Sequence, residues 1–353
     1  MSADGKIREL NCHDEHRNTG GGGEMTRLAL AALAVAWMSI ATAMACDIKR
    51  PVIFAGLDYD SAAFHTTIAR TIIEKGFGCR TDRVPGATIP LVNGLERGDV
   101  DVIMEIWLAN PVQPWIDAER NKKVVRLGTT FPDANEGWFV PRGLVDGPNA
   151  KAPRLRAVSD LIAHKALFGD PDNPDKGLFY NCVPGWQCEL VNSKKLMAYG
   201  LEPHFTNVRP GASEALVAAI DSALKRRRPV VFYHWSPSWL VGAHDLARLE
   251  EPAFDRGVWT KMLAEARPER ATAFPVSEVV IGANVRFVEA APGLAGFLRA
   301  YRSTAADTST ALAAGRAANV SVEQAAMRFL REKPELWRPW LPEDVANRVA
   351  GAL

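Results

Sequence analysis

The stretch Asp99-Val-Asp-Val-Ile-Met-Glu-Ile-Trp107 decides the fold class of this chain. Its apolar, partly β-branched run predicts a strand over residues 100–107. Upstream, strands are predicted over the apolar residues 52–55 and over residues 80–84, and a helix is predicted after each of them. This β-α-β-α-β order predicts a parallel sheet with right-handed crossovers.

The rest of the chain continues the alternation of strands and helices. Further strands are predicted over residues 136–140, 166–169 and 230–233, and helices over residues 158–164, 189–199, 213–227 and much of 297–330. A polar stretch rich in Pro and Gly, residues 141–153, predicts a first crossing between domains, and residues 273–276 predict a second. We therefore expect an α/β protein with two lobes and a ligand cleft between them. The predicted division is residues 1–45 as an upstream extension and signal peptide, 46–140 plus 276–353 as lobe one, and 141–275 as lobe two.

Composition gives an ordinary globular balance. The residues are 47% hydrophobic and 24% charged, and the formal net charge is +1. A chain of 353 residues is long enough for two domains. The basic run Lys225-Arg-Arg-Arg228 closes a predicted helix, where cations complement the helix dipole. Nothing in this charge pattern indicates a nucleic-acid partner.

The N-terminal segment is typical of an export signal. A short basic start at Met25-Thr-Arg27 precedes an apolar stretch, residues 28–40, and Ala43-Met-Ala45 is an A-x-A cleavage site. We expect translation from Met25, cleavage after Ala45 and a periplasmic product. Cys46 would then be the first residue, so a lipid anchor is an alternative, although Ala43 stands where a lipobox has Leu.

The four cysteines of the mature chain agree with export. They are Cys46, Cys79, Cys182 and Cys188, and an even count in an exported protein predicts disulfides. Three pairings are possible. Cys182 and Cys188 are local partners, and Cys46 and Cys79 both stand at the start of predicted neighbouring strands, so we expect those two pairs. A zinc site is the alternative, but no C-x-x-C or H-x-x-x-H spacing occurs, and we expect neither metal nor cofactor.

Two further segments present tryptophans at turns. In Asn181-Cys-Val-Pro-Gly-Trp-Gln-Cys-Glu189, a Pro-Gly turn between two cysteines would hold Trp186 on a stiff loop. In Pro229-Val-Val-Phe-Tyr-His-Trp-Ser-Pro-Ser-Trp239, a predicted strand leads into Trp235, as the strand predicted over residues 100–107 ends at Trp107. Because ligands of α/β sheets bind beyond the carboxyl ends of strands, these rings indicate a binding site. Burial in the core is the alternative for each ring.

These segments resemble the substrate-binding proteins of glycine betaine/proline-betaine ABC importers. The resemblance rests on Cys182-Val-Pro-Gly-Trp-Gln-Cys-Glu189, on Phe232-Tyr-His-Trp-Ser-Pro-Ser-Trp239 and on the Gly98-Asp-Val-Asp stretch before Trp107. It extends from about residue 48 into the C-terminal helices and implies the type II-like two-lobe fold of periplasmic binding proteins.

The resemblance also implies a set of ligand-binding residues. Trp107, Trp186 and Trp235 would form an aromatic box around a quaternary ammonium, and the backbone N–H groups of Gln187 and Cys188 would hold a carboxylate. Well-known members carry a His shortly after the first tryptophan, where this chain has Leu108-Ala-Asn-Pro111. We expect Asn110 to supply an amide N–H in its place, the alternative being that it only caps the turn.

Two other polar residues lie beside the predicted box. On a strand, Glu105 shares a face with Trp107 and could add negative charge near a cation, the alternative being a salt-bridged or solvated Glu. His234 neighbours Trp235 but should point to the other face of its strand.

The function implied is an exported solute-binding protein that works as a monomer and passes its ligand to a membrane permease. Alternatives of the same class are choline, carnitine, dimethylsulfoniopropionate or proline betaine as the ligand. An exported enzyme on the same scaffold is an alternative of another class, because fold does not fix function.

Overall fold

Strands and helices alternate from residue 52 onward in a computed structural model that describes residues 46–109 and 111–353. The predicted signal segment and Asn110 lie outside the described residues. Nine strands occur in the described part: β1 (Val52–Leu57), β2 (Thr81–Gly86), β3 (Val102–Trp107), β4 (Val124–Pro141), β5 (Gly177–Tyr180), β6 (Phe205–Val208), β7 (Val231–Ser236), β8 (Leu246–Arg248) and β9 (Ser277–Asn284).

The helices cover the sheet and build most of the C-terminal part. In chain order they are α1 (Asp60–Gly76), α2 (Thr88–Arg97), α3 (Gln113–Arg120), α4 (Arg142–Val145), α5 (Leu161–His164), α6 (Gln187–Ala198), α7 (Ser213–Lys225), α8 (Trp239–Ala243), α9 (Arg256–Ala264), α10 (Val285–Ala290), α11 (Pro292–Ala300), α12 (Ala305–Ala317), α13 (Val322–Glu332), α14 (Pro334–Trp337) and α15 (Glu343–Gly351). Short 3₁₀ turns occur at Val158–Asp160, Lys165–Phe168 and Arg338–Trp340. No helix among these has the length and apolar character needed to cross a bilayer.

The sheet order is β2-β1-β3-β9-β4-β7-β5-β6, with β8 attached to β4. We call β2-β1-β3-β9 the first half-sheet and β7-β5-β6 the second half-sheet. Strand β1 pairs in parallel with β2 and β3, which confirms the parallel pairing predicted for the first three strands. Strand β5 also pairs in parallel with β6 and β7. The centre differs, because β9 runs antiparallel to β3 and β4, and β4 runs antiparallel to β7.

Strand β4 is the element that connects the two half-sheets. It pairs with β9 from Val124 to Ala134 and with β7 from Asn135 to Phe139. The sequence predicted only its second part, over residues 136–140, because its first part carries Arg126, Thr129 and other polar residues that break the apolar run. The lobe boundaries drawn from the sequence stay a prediction.

Other strand predictions were wrong in the second part of the chain. Residues 166–169 were predicted as a strand but lie mostly in a 3₁₀ turn, from which Phe168 packs into the core against Phe205. A short apolar run cannot distinguish a strand from such a buried turn. Strands β5, β6, β8 and β9 were not predicted. The first three are only 3 or 4 residues long, and β9 follows the predicted second crossing, beyond which only helices were predicted.

Both expected disulfides are confirmed. Cys46 bonds to Cys79, which joins the segment before β1 to the segment before β2, and Cys182 bonds to Cys188, which closes the loop between β5 and α6. All four sulfurs are therefore used, and the zinc alternative for these cysteines is wrong.

The two disulfides should differ in their contribution to stability. Cys46 and Cys79 are 33 residues apart and Cys182 and Cys188 are 6 apart, so the chain-entropy model predicts losses of about 3–4 and about 2 kcal/mol on double replacement by Ser. Urea unfolding of the two double variants measures this order. A larger loss for the short loop, or free thiols in the folded wild-type protein, would contradict it.

Candidate ligand-binding site

The carboxyl ends of strands from both half-sheets meet around one cavity. Tyr59 follows β1, Trp107 ends β3, Trp186 lies in the loop after β5, and Trp235 lies near the end of β7; all four line the cavity. Its volume is about 70 Å³, several times the roughly 10–15 Å³ that a single water needs. A small organic molecule is the size of ligand that such a space accepts.

Three aromatic rings pack edge to face against one another at this cavity. The ring centroids of Tyr59 and Trp186 are 5.2 Å apart, those of Trp186 and Trp235 are 5.4 Å apart, and those of Tyr59 and Trp235 are 5.9 Å apart, with interplanar angles of 74°, 84° and 80°. Such pairs are worth about 0.5–1.5 kcal/mol each beyond their burial. The sequence-predicted Trp186 and Trp235 are thus brought together, and the partly buried Trp107 lines the same cavity.

The disulfide loop holds Trp186 against the first half-sheet. The predicted Pro-Gly turn is present, and Gly185 has φ +90°, which favours glycine. The Ile89 backbone N–H donates to the Gly185 carbonyl at 3.2 Å, and the Trp186 indole N–H donates to Asp58 Oδ1 at 2.9 Å. Trp186 therefore has a fixed position between segments from the two half-sheets.

Strand register explains which residues of β7 face the cavity. Trp235 pairs with Glu136 across the antiparallel ladder, so both side chains lie on one face, together with Tyr233 two residues earlier. His234 points to the other face, as expected: its Nε2 hydrogen bonds to Ser238 at 2.7 Å, and burial lowers its pKa to about 3. His234 is therefore a neutral core residue.

Two buried carboxyl groups line the cavity. The Trp107 indole N–H donates to Glu105 Oε2 at 3.2 Å, and the Tyr233 hydroxyl donates to Glu136 Oε1 at 2.5 Å. The second oxygen of each carboxyl, Glu105 Oε1 and Glu136 Oε2, is buried without a hydrogen-bond partner. Burial raises the pKa of Glu105 to about 8 and that of Glu136 to about 7. The solvated or salt-bridged alternative for Glu105 is therefore wrong, since this side chain is 0% exposed and its recorded hydrogen bond comes from an indole.

Backbone hydrogen-bond donors, which suit an anion, come from the first turn of α6. Trp186 is the N-cap residue and makes no side-chain cap hydrogen bond, and Gln187 and Cys188 follow it along the cavity wall. The first N–H groups of a helix have no acceptor within the helix and carry partial positive charge. The cavity thus combines aromatic faces and carboxyls, which suit a cation, with backbone donors, which suit an anion.

Sequence reasoning missed Tyr59, Tyr233 and Glu136. Tyr59 could have been found, because it follows a predicted strand in the same way as Trp107. Glu136 could not, since its place opposite Trp235 depends on the pairing of β4 with β7. Asn110 lies outside the described residues, so its predicted contact stays a prediction.

Comparison with known proteins identifies the family. Residues 50–332 match the family described as the substrate-binding domain of ABC-type glycine betaine transport systems. The chain belongs to this family. Membership confirms the resemblance drawn from the cysteine loop and makes the chain a solute-binding protein rather than an enzyme.

Individual relatives match at low sequence identity but over most of the chain. The glycine betaine/proline betaine-binding periplasmic protein of Escherichia coli (strain K12) is 26% identical over 265 residues, which are 71% of this chain and 77% of that protein. The structure of an ABC-transporter choline-binding protein in complex with choline matches with a TM-score of 0.69 and 18% identity, covering 87% of this chain and 98% of that one.

A second solved structure gives the same fold. Lactococcal OpuAC, in its closed-liganded conformation complexed with glycine betaine, matches with a TM-score of 0.64 and 16% identity, covering 83% of this chain and 100% of that one. These similarities confirm the predicted two-lobe α/β fold of periplasmic binding proteins.

The buried carboxyl of Glu105 should make the unliganded protein less stable as the pH rises. Its pKa is about 8 in the folded protein against an ordinary 4.5. Between these values the folded state holds a proton that the unfolded chain has released, so the free energy of unfolding falls with increasing pH. Glu136 adds a smaller effect of the same sign up to about pH 7.

Glu105→Gln should therefore flatten the pH dependence and raise the stability at pH 7 by about 1 kcal/mol or more. Urea unfolding between pH 5 and 8 measures it, with the exposed Glu335→Gln as the matched control. A wild-type protein that becomes more stable over this range, or a Glu105→Gln slope equal to the control's, would contradict the assignment.

Proposed function

We propose that this chain is the exported receptor of an ABC importer for glycine betaine or a similar quaternary ammonium zwitterion. The observation that carries the proposal is the mutually perpendicular set of Tyr59, Trp186 and Trp235 on a cavity that also has free helix N–H groups. Trp107 completes the box from the end of β3.

A quaternary ammonium suits these aromatic walls because it cannot donate a hydrogen bond and gains little from ordinary ion pairing. Each desolvated aromatic face contributes about 2 kcal/mol. Three faces give roughly 6 kcal/mol before costs, against about 8 for micromolar binding. The remainder must come from buried apolar surface and from the anionic end of the ligand.

The ligand carboxylate is assigned to the first turn of α6. The backbone N–H groups of Gln187 and Cys188 are the donors, supported by their place on the cavity wall and by the helix dipole. Asn110 is the proposed third donor on the basis of the sequence alone.

A second candidate ligand is choline or another cation without a carboxylate. The observation that favours it is the pair of carboxyls, Glu105 and Glu136, in a cavity whose described lining residues include no Lys or Arg. Carnitine, dimethylsulfoniopropionate and proline betaine are further ligands of the same chemistry.

Location and partners follow from this role. We propose that translation starts at Met25 and that the signal peptide is removed after Ala45 on export. The mature monomer then passes its ligand to a membrane permease from the periplasm, the location given for the E. coli relative. The disulfide at Cys46 supports an unlipidated start, because a thioether to lipid would use the same sulfur. Residues 46–140 with 276–353 and residues 141–275 are the proposed lobes.

Removing one ring of the box should weaken binding. Trp186→Ala, Trp235→Ala and Tyr59→Ala should each lose at least about 1–2 kcal/mol, or roughly tenfold or more in Kd for glycine betaine. Calorimetric titration measures this, with Phe254→Ala, 38% exposed and outside the cavity, as the control. Unchanged affinity in a folded Trp186→Ala protein would contradict the box.

Loss of the Asn110 amide should discriminate between ligands. Asn110→Ala should weaken glycine betaine about fivefold, the equivalent of about 1 kcal/mol for one neutral hydrogen bond, and leave choline unchanged because choline has no carboxylate. Parallel titrations with the two ligands measure the ratio. Equal losses, or none, would mean that Asn110 only caps the turn.

A further inference from the structure

The aromatic box does not explain why two carboxyl groups are buried in the same cavity. Glu105 is 0% exposed, and its Oε1 has no hydrogen-bond partner. An unpaired carboxylate in such surroundings is costly, so the empty site favours the protonated acid. A proton on the carboxyl, or a positive charge beside it, lowers the cost of leaving this oxygen without a partner.

The net charge of the bound ligand decides whether the Glu105 carboxyl keeps its proton or faces a positive charge. A zwitterion brings its own carboxylate, for which the first turn of α6 provides donors, and adds no net charge to the cavity. A cation such as choline adds one buried positive charge, and no anionic group comes with it. The least costly response is ionisation of a carboxyl that already faces the ligand.

We propose that Glu105 is the specificity-determining residue of this cavity: it keeps its proton when a zwitterion binds and releases it when a net cation binds. In that step the carboxyl O–H bond breaks, the proton passes to the solvent buffer, and the carboxylate stays opposite the ammonium group. The inference rests on the proposed function, because it assumes that quaternary ammonium compounds occupy the aromatic box.

The groups packed around Glu105 leave the ligand as the source of the opposite charge. Ser61 faces it from the first turn of α1 and Tyr59 from the segment after β1. Trp107 faces it from its own strand, and Tyr301 from the segment between α11 and α12. Both tyrosines are neutral because burial raises their pKa well above 10. The Tyr301 hydroxyl hydrogen bonds to His65 at 2.5 Å, and that His is also neutral, with its pKa lowered by burial to about 3.

Glu136 has different surroundings. The Tyr233 hydroxyl donates to it, and the buried Lys195 and the exposed Arg248 also act to lower its pKa. Positive side chains of the protein thus already act on Glu136, whereas none of the described Lys or Arg residues is among the groups that shift the pKa of Glu105. Because Glu136 also lines the cavity, the matched control for Glu105→Gln is the exposed Glu335→Gln, and Glu136→Gln tests which of the two carboxyls releases the proton.

The consequence is a selectivity that changes with pH. If only the ionised form of Glu105 accepts a net cation, the apparent Kd for choline should improve by up to about tenfold per pH unit below pH 8 and then level off. The Kd for glycine betaine should change much less. Raising the pH should therefore shift preference towards the cation.

The experiment is calorimetric titration of the wild-type protein with choline and with glycine betaine at pH 6.5, 7.5 and 8.5. Each titration is repeated in two buffers with different ionisation enthalpies, which gives the number of protons released. Choline should release close to one proton at pH 6.5, and glycine betaine far fewer. Glu105→Gln should abolish the release with choline and make the ratio of the two Kd values independent of pH, whereas Glu335→Gln, exposed and outside the cavity, should retain both effects.

Each other outcome overturns the inference. Choline binding without proton release, or loss of the release in Glu136→Gln but not in Glu105→Gln, would remove the role of Glu105 and leave the proposed function standing. The same holds if glycine betaine binds but choline does not bind at any of the three pH values. Failure of the folded wild-type protein to bind either ligand would overturn both the inference and the proposed function.

Discussion

The perpendicular packing of Tyr59, Trp186 and Trp235 is the interaction on which the site depends. The three rings come from different places in the chain, yet each must be fixed for the cavity to have walls. The disulfide loop, the positive φ of Gly185 and the hydrogen bond to Asp58 fix Trp186. The rings meet because the sheet topology brings strand ends from both half-sheets to the same cavity.

The strands and helices that show their own local sequence pattern could be predicted from the sequence. Strands β1 and β3 were found because each is a buried apolar run next to helices of clear periodicity, and the exposed β2 was found from its place between two predicted helices. Strand β4 was found only in part, since its pairing partners change at Ala134 and its first half is polar on one face. Strands β5 and β6 escaped because four residues are too few to show a period. Antiparallel β9 escaped because its partners, β3 and β4, lie far away in the chain.

The residues of the candidate site also fall into those that the sequence predicts and those that it does not. Trp107, Trp186 and Trp235 stand at strand ends or turns, features that the sequence displays directly, and the motif around the two cysteines is specific to the family. The carboxyl environment is a tertiary property: nothing in the sequence near Glu136 indicates that it faces Trp235, or that Glu105 Oε1 is left without a partner. Groups of this kind are visible only once burial and register are known.

Unsatisfied groups at the cavity link affinity to stability. A buried polar atom without a partner costs about 1–3 kcal/mol, and here the free oxygens of Glu105 and Glu136 lie in the same cavity wall as the uncapped turn of α6. The surrounding core, with neutral His65 and His234 fully buried, keeps these groups in place in spite of that cost. A ligand with a cation at one end and an acceptor at the other satisfies both kinds of group at once, whereas a ligand with only one end leaves some of the cost in place. Charge complementarity at the two ends of the cavity, more than the aromatic walls that all quaternary ammonium compounds share, is therefore what can separate one such ligand from another.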